Sequence, residues 1–546
     1  FAMSTDDVQR VGTQRFAFIF PMASGHINPS FAVARGLVDL GHEVHYLCRE
    51  QMKEAVEDAG GIFHDELQEM PEMYEGRVPD LLGACDDLKK DYGLEKASKI
   101  VAMFKLGEIM LELMLPGAIR WLTRIQAKTV VCCPLINKEA VYAAKLLGMP
   151  CASLLTTAGP GSMAHAMKEI LDLEGLTPEG MTQARLNFQP LQDSVARMEQ
   201  KYKIDLDHSD VLTPLGRLQT CIESNLTLVT TAEDLQDPMT EELEQLYAAS
   251  ATRFEFVGPL LDKEGAKRAA GHKFSYQEQH SGHVEEHGVD PIALLKAAKC
   301  IGRPVVYVSM GTVITGDAED WGWNGRVRSS DGQLKGLSGR ELCRAAWGGA
   351  FDAFGSERAE DGPLLLVSLG PQADALGDGL EAPANSCCLP VMPQVDLLKA
   401  GVDVFLTHGG QNSFTEALHT GVPMVVCPGF ADQPVNARKA VDLGVGLQVE
   451  RPVPELGEAS LAAQEAYRKA SCKALREVLS NPSYKANALF RSERLKKAGG
   501  VPRAVELILQ LGEQPRRLPC LLGYRNEVMP CKSIGTTHKE LQGLRS

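Results

Sequence analysis

The feature that most constrains this chain is an apolar run that turns through two glycines directly into a helix. Val404, Phe405 and Leu406 form the run, His408, Gly409 and Gly410 the corner, and Asn412 with Ser413 precedes helical apolar spacing at Phe414, Ala417 and Leu418. Strands covered on both faces read as unbroken apolar runs, so this unit belongs in a parallel sheet flanked by helices. A helix that opens at a glycine corner aims free backbone N–H groups and the positive end of its dipole at whatever lies in front, which favours a phosphate. His408 adds a donor there. Gly421, Val422 and Pro423 stop the helix, Met424 to Cys427 make the next short strand, and Asp432 and Gln433 follow on a loop beyond the strand end.

The same grammar recurs twice. Phe16 to Phe20 is an apolar run, Pro21 to Ile27 reads as a loop carrying His26, and Asn28-Pro29 reads as N-cap and first helical residue. Val33, Leu37 and Leu40 then share a helical face before Gly41 and the strand Val44 to Cys48. Val305 to Ser309 runs into Met310-Gly311-Thr312 in the same way. The fold class expected is α/β, with two doubly wound Rossmann-like domains facing across a cleft, and the ligand at the carboxyl ends of the strands.

A chain of 546 residues is too long for one core. The expected division is a first domain over 15–261, a polar linker over 262–300, a second domain over 301–499, a C-terminal helix over 500–512 and a disordered tail over 513–546. Residues 316–338 carry turn chemistry without apolar period and read as an inserted loop facing the cleft, bringing Trp321 and Trp323. Phe256 to Leu261 reads as the last strand of the first domain. Acidic residues outnumber basic ones, 71 to 56, for a net charge of −15, which disfavours nucleic acid or an anionic membrane as partner. Most of the cysteines lie in apolar runs and none has metal-ligand spacing, no apolar stretch reaches the length of a membrane span, and a reduced cytoplasmic setting is expected.

The string THGGQNSFTEALHTGVPM followed by ADQ resembles the donor-binding signature of family 1 glycosyltransferases, in the form of the macrolide and other bacterial-type members. PMASGHINP resembles their GHxNP segment, and Val305 to Thr312 their VSxGT segment. The resemblance covers roughly 15–512 and implies the two-domain GT-B fold and an inverting transfer from a UDP-sugar, as co-substrate, to a small lipophilic acceptor, with no metal or other cofactor. It implies His26 as catalytic base. It also implies donor contacts from Gly25, Ser309, Gly311, Thr312, Val391, Met392, Gln394, His408, Gly410, Asn412, Ser413, Glu416, Asp432 and Gln433. Among these, His408, Asn412, Ser413 and the helix start would hold the diphosphate and supply positive charge, Glu416 would bind the ribose, and Asp432 and Gln433 the sugar.

Two departures stand out. The family's aspartate that orients the base falls here on Pro134, or on Cys133 if the register slips by one, with Glu139 the nearest carboxylate in sequence. The family's tryptophan that stacks on uracil is Val391, and Trp321 or Trp323 of the insert is the candidate replacement. The first departure leaves open a nucleotide-sugar binder with weak or no catalysis.

Overall fold

The computed structural model describes residues 12–164, 171, 175–206, 216–250, 252–269, 289–317, 321–328, 334–377 and 379–513. Two sheets, parallel throughout, organise them. The first contains β1 (Arg15–Ile19), β2 (Glu43–Cys48), β3 (Ile62–Asp65), β4 (Thr129–Cys132), β5 (Cys151–Leu155), β6 (Leu226–Val229) and β7 (Phe254–Phe256), in the order β3-β2-β1-β4-β5-β6-β7. The second contains β8 (Val305–Ser309), β11 (Leu364–Ser368), β12 (Ser386–Leu389), β13 (Val404–Thr407), β14 (Met424–Val426) and β15 (Gly446–Gln448), in the order β12-β11-β8-β13-β14-β15. A separate antiparallel pair, β9 (Val327–Arg328) with β10 (Leu334–Lys335), lies in the insert.

The strand order decides where ligands can bind. In the first sheet the chain steps outward from β1 to β3 and then returns to the other side of β1 with β4, and in the second it does the same from β8 to β12 and then β13. Each reversal leaves a crevice beyond the strand ends, between β1 and β4 and between β8 and β13. Register places Ile19 beside Cys132 and Ser309 beside Thr407, so the segments leaving these strands carry His26 and Cys133 into one crevice and Gly311 and His408 into the other.

The cores follow from the apolar runs. Phe16, Phe18 and Phe20 pack with Tyr46 and Phe31 on one face of the first sheet, and helix Lys99–Ile125 covers the other face with Leu106, Leu115 and Trp121. The chain then crosses back at its far end. Helix Gly500–Gly512 buries Ala504, Leu507, Ile508 and Leu511 in the first domain's core, so tightly that a Cβ on Gly36 would lie 2.8 Å from Val505 Cγ2.

Several boundaries differ from the sequence reading. The first helix starts at Ser24, with Ala23 as N-cap and Pro29 inside it, so His26 sits on a first helical turn and not on a loop. The last strand of the first sheet is Phe254–Phe256, and Val257 to Leu261 is the exit from it. The linker ends earlier than 300, because helix Pro291–Cys300 packs Leu295 and Ala298 with Val305 in the second domain's core. The helix after the glycine corner at His408 runs Gln411–His419 with Gly410 as N-cap, so Asn412 and Ser413 lie in its first turn and do not precede it. Gln433 opens a helix, Gln433–Asp442, and does not lie on a loop. The tail beyond Glu513 lies outside the described residues, as do 318–320 and 329–333 of the insert. Among the described residues no helix is long and apolar enough to cross a membrane.

Candidate active site

Around His26 the first crevice is built from three strand ends. Nδ1 of His26 lies 3.2 Å from Cys133 Sγ, just past β4, and 3.4 Å from Thr156 Oγ1, just past β5. Cys133 therefore occupies the place beside the imidazole, which settles the register left open by the sequence; Pro134 instead accepts a hydrogen bond through its carbonyl from Thr220. Burial lowers the His26 pKa to about 4. The ring is thus neutral near pH 7. Burial likewise pushes the Cys133 thiol up to about 12, so it stays protonated and offers no charge to an imidazolium. Glu139 does not substitute: it is 1% exposed, accepts from Asn137 Nδ2 at 2.9 Å, and burial raises it to about 8.

The second crevice shows why its glycines are there. Gly311 has φ +84, and a Cβ there would lie 2.6 Å from His408 Cε1; a Cβ on Gly410 would lie 2.6 Å from His408 Nε2. The two glycines clamp the ring. Gly409, with φ +81, turns the chain at a point where a Cβ would meet Val426 Cγ1 at 2.4 Å. Burial lowers the His408 pKa to about 4, and its Nδ1 has no partner among the described residues. His408 can therefore donate a hydrogen bond but carries no charge at neutral pH, which corrects the expectation that it supplies positive charge. Gly410 caps helix Gln411–His419 without a side chain, so the first-turn N–H groups of Asn412 and Ser413 have no N-cap oxygen. Asp432 Oδ2 accepts from Gln411 N at 2.7 Å and fixes the helix start.

The remaining expected donor residues divide. Gln394 Nε2 donates to Ser413 Oγ at 3.0 Å and to Glu416 Oε2 at 2.7 Å, joining three of them in one network. Gln433 Oε1 accepts from Gly429 N at 2.8 Å, so that oxygen builds the turn. Ser309 ends β8, Thr312 follows in the next turn half-buried, and Met392 is a core residue at 6% exposure. Val391 is 55% exposed.

One contact joins the crevices. Asn412 Nδ2 donates to the carbonyl of Gly25 at 2.8 Å, across 387 residues of sequence. That carbonyl is open for a reason: Pro29, four residues on, has no N–H to return to it. The helix of His26 and helix Gln411–His419 are thereby tied at their starts.

The tryptophans of the insert are not base-stacking candidates. Trp323 is 2% exposed and packs on Trp347 with centroids 6.0 Å apart. Trp321 stacks on Phe430 at 4.8 Å, on the segment leaving β14. Val391 leaves β12, four strand positions away, which is roughly 19 Å at the usual inter-strand spacing.

Sequence reasoning missed Thr156 and, more consequentially, Arg268. The Arg268 guanidinium donates to Glu416 Oε1 at 2.8 Å from the linker. A polar linker gives no sign of which of its cations turns inward.

Comparison with known proteins is consistent with this geometry. The family described as UDP-glucoronosyl and UDP-glucosyl transferase matches residues 380–499. An uncharacterized UDP-glucosyltransferase, YdhE, of Bacillus subtilis (strain 168) is 25% identical over 91% of this chain and 98% of its own. An NDP-glycosyltransferase, YjiC, of Bacillus licheniformis is 21% identical over 91% of this chain and 98% of its own. Among solved structures, the glycosyltransferase of kitacinnamycin superimposes with TM-score 0.56 at 21% identity, covering 91% of this chain and 99% of that one. Os79 from O. sativa, in complex with UDP, does so with TM-score 0.54 at 18% identity, covering 91% and 100%. The two structures share the fold, the relatives share the length, and the family match falls on the second crevice: the chain has the GT-B fold and is similar to the UDP-dependent family 1 glycosyltransferases over most of its length.

Proposed function

We propose that the protein is an inverting transferase that moves a hexose, glucose first, from its UDP-sugar to a hydroxyl of a small lipophilic acceptor, without a metal ion. The bond from Asn412 to Gly25 carries this reading, because it holds the helix of His26 against the start of the donor helix. The names of the bacterial relatives favour glucose. His26 takes the acceptor proton at the ring nitrogen away from Cys133. The acceptor oxygen attacks the anomeric carbon, the bond from that carbon to the diphosphate oxygen breaks, and UDP departs with the electron pair. The open N–H groups of Asn412 and Ser413 and the neutral His408 receive the diphosphate, Glu416 the ribose, and Asp432 with the amide nitrogen of Gln433 the sugar. A neutral thiol beside the base favours a second reading, a binder or a slow transferase.

The test is incubation with a panel of UDP-sugars and of phenols, alcohols and sterols, with product read by mass, in EDTA and with Mg²⁺ or Mn²⁺ restored. Glucosylated product in EDTA is expected. UDP binding without product from any acceptor selects the second reading, and activity only with added metal overturns the metal-free one.

A further inference from the structure

The linker does more than connect the sheets. Its described residues are pinned alternately to the two domains. Asp262 pairs with Arg35 at 2.9 Å in the first, and its carbonyl accepts from Lys399 at 2.6 Å in the second. Gly265 N donates to Asp396 at 3.0 Å, Lys267 N to Asp58 at 3.1 Å, and Ala269 exchanges two hydrogen bonds with the Asn28 side chain, at 2.9 and 3.2 Å. Between these anchors Arg268 reaches Glu416.

This path places a guanidinium where the two crevices meet. Asn28 stands on the helix of His26, two residues on, and Glu416 shares hydrogen bonds with Gln394, which also holds Ser413. The Glu416 side chain is 5% exposed and that of Arg268 30%, so the carboxylate is covered while the arginine stays partly accessible to a ligand. Among the described residues Glu416 is the protein partner of Arg268, through one of its five N–H groups. A nucleoside diphosphate is an anion entering a protein of net charge −15 beside a buried carboxylate. The neutral imidazole and the start of helix Gln411–His419 give it hydrogen bonds and a partial positive charge, but no full cation.

Resting on the reading of this cleft as a UDP-sugar site, we propose that Arg268 is a donor-binding residue: the linker delivers its guanidinium beside Glu416, where its remaining N–H groups hold the nucleoside diphosphate while Glu416 receives the ribose. The residue serves as the cation of the site and does not touch the reacting carbon.

Calorimetric titration of the full chain with UDP and with uridine, at low and high salt, tests it on wild type, Arg268→Gln and Arg268→Lys, with thermal unfolding to establish that each is folded. Arg268→Gln is expected to weaken UDP binding about tenfold or more, to leave uridine within about threefold, and to flatten the salt dependence of UDP binding; Arg268→Lys should recover part of the loss. Equal UDP affinity in folded wild type and Arg268→Gln overturns the proposal and leaves Arg268 as a clasp between domains. Tighter UDP and uridine in Arg268→Gln also overturns it, by showing that the arginine blocks the ribose carboxylate. A folded wild type that binds neither ligand removes the UDP-sugar reading itself.

Discussion

The sulfur of Cys133 lies 3.2 Å from Nδ1 of His26, where a carboxylate would make the imidazole a stronger base. With the ring pKa lowered to about 4 by burial, the acid limb of kcat/KM should fall well below the ordinary histidine range. Cys133→Asp should raise that limb by one unit or more and increase kcat about tenfold or more, measured as pH–rate profiles. A folded Cys133→Asp variant with an unshifted limb and lower kcat would show that the thiol is tuned for the reaction it faces.

The two histidines should separate by kinetics. His26→Ala should lower kcat by about 10² to 10⁴-fold and leave the Kd for UDP near wild type. His408→Ala should weaken UDP by about 0.5–1.5 kcal/mol, the scale of a neutral hydrogen bond. Titration and turnover on the same preparations decide it: equal losses of UDP affinity in both variants would contradict the assignment of the two crevices.

Asn412 and Pro29 form a pair across the cleft. Asn412→Ala removes the donor to the Gly25 carbonyl, and Pro29→Ala supplies a helix N–H that competes for the same oxygen. Both should lower kcat, while Pro29→Ala should leave thermal stability unchanged or raised. Equal kcat in wild type and Asn412→Ala would mean that the contact does not position His26.

Glu139 makes stability depend on pH between about 4.5 and 8. Its carboxyl ionises near 4.5 in the unfolded chain and at about 8 when folded, so in that window the folded state keeps a proton that the unfolded state has lost. Stability attributable to it falls as pH rises from 4.5 to 8. Glu139→Gln should flatten the decline in Tm between pH 5 and 8, and an unchanged slope would locate the loss elsewhere.

The insert tryptophans should differ. Trp323→Ala opens the core against Trp347 and should cost about 3–5 kcal/mol of stability. Trp321→Ala, on Phe430, should leave the Kd for uridine unchanged, and a tenfold loss there would restore it as a base-stacking residue.

The parts legible in the sequence are those decided by local chemistry. The apolar runs of β1, β8 and β13 and the corners at Gly311, Gly409 and Gly410 announce parallel strands and close approach before any contact is known. What escaped depends on distant partners. Pro29 reads as a helix start because a proline inside a helix leaves a carbonyl unpaired, here that of Gly25, and Asn412, 387 residues from Gly25, makes that tolerable. Trp323 sits among glycines and polar residues, yet Trp347 draws it inward. Cys133 could not be told from Pro134 until β4 was set against β1. Arg268 is one of several basic residues in a polar stretch, and its inward turn follows from where Asn28 and Glu416 stand.

The return of the chain to the first domain has a mechanical consequence. The domains are joined once by the linker that begins at Asp262 and again at Gly499 and Gly500, whose φ values of +95 and +56 let the chain turn sharply before helix Gly500–Gly512. A body held at two points swings about the line through them. If the cleft opens to release product, these two crossings confine the motion to a rotation about one axis that parts Asn412 from Gly25, and a clamp fixed between helix Gly500–Gly512 and the second domain should then trap the nucleotide inside.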